Sequence, residues 1–217
     1  MKPIRVKICC ISSEDEARQA VQYGAAALGL VGRMPSGPGV ITDEQIQRIA
    51  ATVPPPIATF LLTSEPTAEA VIEHHRRVGT NTVQLVDALP AGSYPVLRAA
   101  LPGIKLVQVI HVLDELSVDE ALAAAEAVDA LLLDSGNPNL AVKELGGTGR
   151  VHDWQFSRRI VEQSRVPVFL AGGLNAGNVR QALDQVQPFG LDLCSSVRTG
   201  GKLDPVKLEA FMQAVNS

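Results

Sequence analysis

The sequence predicts a single-domain (β/α)8 TIM barrel over residues 1–217, and three observations predict it. Short apolar runs alternate with longer amphipathic ones about eight times along the chain, the pattern of strand-helix units. Unusual side chains fall where the apolar runs end: Cys9, Asp134, the Gly172-Gly173 pair and the Ser195-Ser196 pair. No strong internal repeat, low-complexity tract or dividing linker interrupts the chain. An open doubly wound sheet also fits the alternation. Closure is favoured because a barrel brings every strand C-terminal end onto one face, where those side chains would meet.

Taken in order, strands are expected at 4–9, 27–31, 57–62, 82–85, 105–111, 130–134, 167–171 and 191–194. Helices are expected between them. The first covers 13–23, where Ala17, Ala20 and Val21 share a face and Gly24 follows the C-terminus. Thr42-Asp43-Glu44-Gln45 reads as a capping box, with Ile46 and Ile49 inward. Further helices fit 67–78, 94–100, 117–127, 153–164, 178–186 and 205–215, and Pro54-Pro55-Pro56 stiffens the approach to the third strand.

Composition narrows the function class. A net charge of −4 with 19% charged residues leaves no basic footprint for nucleic acid. The N-terminus has no apolar signal region, and no apolar run approaches the roughly 20 residues of a membrane helix. Three cysteines, two adjacent, make a poor disulfide framework and fit a reducing cytoplasm. The Cys9-Cys10 pair lacks the gap that zinc ligands need, so no metal is expected.

The site candidates follow from chemistry. Gly172 and Gly173 allow close backbone approach, and with Ser195 and Ser196 they occupy the seventh and eighth loops, where barrels commonly bind phosphate. Alternation puts Lys7 on the same side as Cys9, one layer deeper, placed to bias the thiol or to neutralise a buried carboxylate. In isolation, a cysteine ending an apolar strand is more often core filler, and an aspartate there is often a turn or cap residue.

Read together, Val6-Lys7-Ile8-Cys9, Gly24 to Gly29, Val83-Gln84-Leu85, Leu132-Leu133-Asp134-Ser135, Gly146-Gly147-Thr148-Gly149 with Asp153-Trp154, Leu170 to Leu174 and Asp192 to Ser196 resemble, in order, the phosphoribosylanthranilate isomerase family. The resemblance implies a cofactor-free Amadori rearrangement of a phosphorylated sugar in tryptophan biosynthesis. It implies Cys9 as general base, Asp134 as general acid, and a monomer or homodimer with no nucleic-acid or membrane partner. Such a base needs a nearby cation or helix N-terminus, and such an acid needs apolar surroundings, which Leu131 to Leu133 offer. Gly147 would sit in a lid over the substrate.

The departures concern substrate contacts. The family's Ser-Pro-Arg after the second strand, whose arginine meets the anthranilate carboxylate, is Ser36-Gly37-Pro38 here, leaving Arg33 as the nearby substitute. The glycine after the catalytic cysteine is Cys10, and the His-Gly after Leu85 is Val86-Asp87. Val197 stands where a glycine follows the serine pair and is expected to crowd the phosphate, while Arg198 adds positive charge. His74-His75-Arg76-Arg77 reads as a solvated helix face. His111 is placed at the barrel mouth, His152 at a helix start, Trp154 as a helix anchor and Cys194 as a buried strand residue.

Overall fold

A computed structural model describes residues 4–137, 139–140 and 151–217. Eight parallel strands close on themselves in chain order. They are β1 (Arg5–Ile8), β2 (Ala27–Val31), β3 (Ala58–Thr63), β4 (Thr82–Leu85), β5 (Lys105–His111), β6 (Ala130–Asp134), β7 (Val168–Leu170) and β8 (Gly190–Leu193). The helices between and after them are α1 (Glu14–Gln22), α2 (Asp43–Thr52), α3 (Ala68–Val78), α4 (Ser93–Ala100), α5 (Leu116–Ala125), α6 (Trp154–Gln163), α7 (Val179–Val186) and α8 (Pro205–Asn216). A 3-10 turn at Ser195–Val197 and a small hairpin, β9 (Arg198–Thr199) with β10 (Lys202–Leu203), stand between β8 and α8. The sequence pattern did not anticipate the hairpin, because two-residue strands carry no periodicity. No described helix is long and apolar enough to cross a membrane.

Local sequence explains where the helices begin. Ser13, Thr42, Thr67, Asp153 and Asp204 each accept a backbone N–H of the first turn, and Thr42 with Gln45 forms the reciprocal capping box. Gly24, at φ 92°, follows α1 in a conformation that favours glycine.

Strand alternation divides the interior into two cores. Val6, Ile8, Leu28, Leu30, Leu131 and Leu133 point outward and pack beneath the helices. Cys9, Ala27, Val31, Leu132, Phe169 and Ala171 belong to a second cluster inside the barrel. The same alternation therefore carries Lys7 on β1 and Cys9 just beyond it, and Leu132 and Asp134 on β6, toward the barrel axis. Closure between β1 and β8 pairs Arg5 with Gly190 and Lys7 with Asp192, and the Cys9 amide donates to the Leu193 carbonyl at 2.7 Å. Gly190 is required at this seam, since a Cβ there would lie 2.7 Å from the Phe169 ring.

One helix face differs from the sequence expectation. His74 and His75 are buried at 2% and 7% exposure, and only Arg76 and Arg77 face solvent. His74 bridges Thr63 Oγ1 and Asp43 Oδ1 at 2.9 and 3.1 Å, and His75 Nε2 meets the Thr80 carbonyl at 2.7 Å. Helical spacing aligns both histidines with Val71 and Val78 on the buried face, where both His74 nitrogens and His75 Nε2 have partners. Gly32 accommodates the His74 ring, which a Cβ at that position would meet at 2.4 Å.

Candidate active site

A cleft opens at the C-terminal ends of the strands. Its walls include Cys9 just after β1, Asp134 from β6, Gly172-Gly173 after β7, and Ser195-Ser196 after β8. These sequence-selected residues, separated by up to 187 positions in the chain (196 − 9), face one cavity. Met34, Ser36, Gly37 and Pro38 form another wall, and Gln84 and Asp192 reach the cleft from β4 and β8.

The floor is charged and buried. Lys7 is fully buried, and its Nζ lies 2.8 Å from Asp192 Oδ1 and 5.3 Å from the centre of the Phe60 ring. Burial alone would lower the Lys7 pKa, but Asp192 and the neighbouring Cys9 sulfur outweigh it and keep the ammonium charged. Asp192 is nevertheless pushed above the usual carboxylate range, because its own burial exceeds what Lys7 returns. Lys7 is not among the cleft-lining residues and lies beneath the cavity, so it is not placed to touch a substrate.

Asp134 is also buried, and burial is the main reason its pKa rises above an ordinary aspartate's. The Ser135 amide donates to its Oδ1 at 2.7 Å and, with His111 and Lys7, opposes that rise only in part. A carboxyl held up in this way retains its proton to higher pH, as a general acid must.

Cys9 is held by close packing. A Cβ on Gly29 would fall 2.9 Å from Cys9 Sγ and 3.0 Å from Lys7 Nζ, so the bare glycine of β2 makes room for both. Behind the loop, Arg198 donates to the Cys9 and Cys10 carbonyls and to both oxygens of Glu16. Glu16 in turn accepts the Ser12 and Leu203 amides at 3.0 and 2.8 Å.

The glycine pair has the backbone shape of an anion cradle. Gly172 and Gly173 have φ values of 83° and 64°, and the side-chain amides of Asn175 and Asn178 hold the Gly173 carbonyl from behind. Ser196 Oγ and Gln84 Oε1 are buried without a partner among the described residues, and both residues line the cleft. Buried polar atoms of this kind mark where a bound molecule would complete the hydrogen bonding.

Several expectations change. Val197 is fully buried in the outer core and does not line the cleft, so it cannot crowd a phosphate there. Arg198 is committed to Glu16 and to backbone carbonyls, and it also lies outside the cleft lining. Cys194 is half-buried just past β8 and lines the cleft, rather than lying within a strand. Arg33 is exposed and is not a lining residue. His111 faces an adjacent pocket with Asp87 and Glu120, its Nε2 against the Val86 carbonyl at 3.1 Å. Gly147 and the lid assigned to it lie outside the described residues. Sequence reasoning gave no role to Asp192, Gly29 or Gln84, although each lay within a recognised stretch; their part depends on which strands become neighbours.

The family model for N-(5'-phosphoribosyl)anthranilate isomerase matches residues 6–214. The chain belongs to the phosphoribosylanthranilate isomerase family. The N-(5'-phosphoribosyl)anthranilate isomerase of Methanosarcina acetivorans is 34% identical, the match covering 97% of this chain and 92% of that protein. A solved family structure in complex with reduced 1-(o-carboxyphenylamino)-1-deoxyribulose 5-phosphate superposes with a TM-score of 0.81 at 28% identity, covering 98% of both chains. The Thermotoga maritima structure superposes at 0.83 with 29% identity, again covering 98% of both. As a member of this family the chain is an aldose-ketose isomerase of tryptophan biosynthesis, and the likeness extends over almost its whole length.

Proposed function

We propose that the chain converts N-(5'-phosphoribosyl)anthranilate to the 1-deoxyribulose phosphate, with Asp134 as general acid and Cys9 as general base. The observation that carries this reading is the placement of both residues on one cleft, with the Asp134 pKa raised by burial. Asp134 gives its proton to the ring oxygen, and the sugar opens to a Schiff base. Cys9 then takes the proton from C2, and the resulting enol relaxes to the ketose. Each transfer by a positioned group is worth roughly 10²–10⁴ in rate. The Gly172-Gly173 amides and the turn at Ser195-Ser196 hold the phosphate, and Lys7 acts as a positioning residue by balancing charge beneath the thiol.

A second reading concerns the aglycone. Among the described residues no Arg or Lys lines the cleft, and Ser36-Gly37-Pro38 occupies the wall where the resemblance placed an arginine for the anthranilate carboxylate. The alternative is a family member acting on another sugar phosphate, with the acid-base pair kept and a different aglycone.

The test is fluorescence-monitored turnover of freshly prepared phosphoribosylanthranilate by the wild type, Cys9→Ala and Asp134→Asn. The expected result is turnover by the wild type and a fall on the order of 10³-fold in each variant. A silent wild type whose melting temperature still rises with inorganic phosphate would remove the anthranilate assignment and leave the phosphate site.

A further inference from the structure

Three thiols meet at the rim of the cleft, and the proposed reaction uses only one. Cys10 has φ 62°, a left-handed conformation uncommon for a residue with a side chain. Its sulfur lies 2.8 Å from Cys194 Sγ and 3.9 Å from Cys9 Sγ. The loop from Ser36 to Gly39 keeps Cys10 in place. The Pro38 carbonyl is 3.5 Å from its sulfur, and a Cβ on Gly39 would fall 2.4 Å from its Cβ. Cys10 and Cys194 come from opposite ends of the chain, and both line the cleft. The described residues contain no group of three His, Cys, Asp or Glu side chains able to hold a metal ion.

We propose that Cys10 and Cys194 form a reversible disulfide when a small disulfide such as oxidised glutathione enters the cleft, and that this bond slows turnover. The sulfurs need to close by only about 0.8 Å to reach the bond length near 2.05 Å. Cys194 is the attacking sulfur: the hydrogen bond to Cys10 and then the Arg198 charge lower its pKa, while Cys10 is pushed up and keeps its proton. The Cys194 thiolate attacks the oxidant, forming a mixed disulfide and releasing one thiolate. Cys10 then loses its proton, attacks the Cys194 sulfur and expels the second thiolate. Two electrons pass from the protein pair to the oxidant, which leaves as two thiols. The bridge ties the residue after Cys9 to the residue before Ser195, joining the thiol and phosphate ends of the cleft. Its formation is independent of the isomerase reading, whereas the effect on turnover rests on it.

The experiment incubates the reduced protein with excess oxidised glutathione, counts free thiols, maps the bridge by mass spectrometry under non-reducing conditions, and measures turnover in parallel. The expected result is a fall from three free thiols to one, a Cys10 to Cys194 cross-link, turnover lower on the order of tenfold, and full recovery with a reducing agent. Cys10→Gly, which suits the left-handed backbone, and Cys194→Ser should form no bridge, while Cys9→Ala should retain it. Three unreacted thiols, a glutathione adduct that never resolves, a bridge that includes Cys9, or a bridge that leaves turnover unchanged would each overturn the proposal. A reduced wild type without turnover would leave the thiol count and mapping as the deciding readouts, so failure of the isomerase reading remains separate.

Discussion

Two buried ion pairs support the candidate site in different ways. Lys7–Asp192 lies inside the barrel as a single 2.8 Å contact between neighbouring strands, surrounded by apolar side chains. Glu16–Arg198 lies outside the barrel wall, where the guanidinium and carboxylate also bind the Ser12 and Leu203 amides and the Cys9, Cys10 and Gly201 carbonyls. The first pair sets charge under the reacting groups. The second fixes the path of the loop that carries Cys9. A pair inside the barrel has few other partners, so removing one member leaves the other stranded, whereas a networked pair spreads the loss over several segments.

The largest stability effect should come from Lys7→Met, which leaves the Asp192 carboxylate buried beside no cation. A loss of about 3–5 kcal/mol is expected in urea denaturation. A loss under ~1 kcal/mol would mean that Asp192 simply takes up a proton at little cost. Arg198→Ala should cost about 2–3 kcal/mol, since several charge-assisted hydrogen bonds disappear together. Its pH dependence distinguishes the two pairs. Burial would raise the Glu16 pKa, but Arg198 and the two amides outweigh it and hold it low. That stabilisation is complete above the unfolded carboxylate pKa, about 4.3, and is lost as pH falls through the lower folded value. The wild type should therefore lose stability in that acid window and Arg198→Ala should lose less, which chemical denaturation at several pH values would reveal.

Gly29→Ala should cost about 1–3 kcal/mol by overpacking against Cys9 and Lys7, and should depress turnover more than substrate affinity because it moves the thiol. Equal changes in kcat and KM would argue against that displacement. The smallest stability effect should be a gain. Asp134→Asn removes a carboxyl whose ionised form burial disfavours, so the melting temperature should rise, by about 1 kcal/mol of stability, while turnover is lost. A fall in melting temperature would show that the Asp134 carboxyl contributes more to the fold than burial costs it.

The barrel was legible because its strands are buried on both faces and its helices are amphipathic, so the apolar runs marked each element to within a residue or two. Cys9, Asp134 and the glycine and serine pairs were legible because they end those runs. Asp192 was not, since its meeting with Lys7 depends on the closing register between the first and last strands. The same closure brings Cys10 to Cys194 across 184 positions, which no local pattern records. Val197 and Arg198 were misplaced because they end a 3-10 turn and begin a two-residue strand, elements too short to carry a readable periodicity. His74 and His75 looked solvated because two exposed arginines follow them, although their own spacing matches the buried face.

The central claim is that burial raises the pKa of Asp134 on the cleft it shares with Cys9. Carbon NMR titration of the labelled aspartate carboxyls, with Asp134→Asn used to assign the signal, tests it directly. The account predicts a midpoint for Asp134 above the ordinary aspartate value of about 3.9. A midpoint at or below that value would leave the cleft without its general acid and contradict the account.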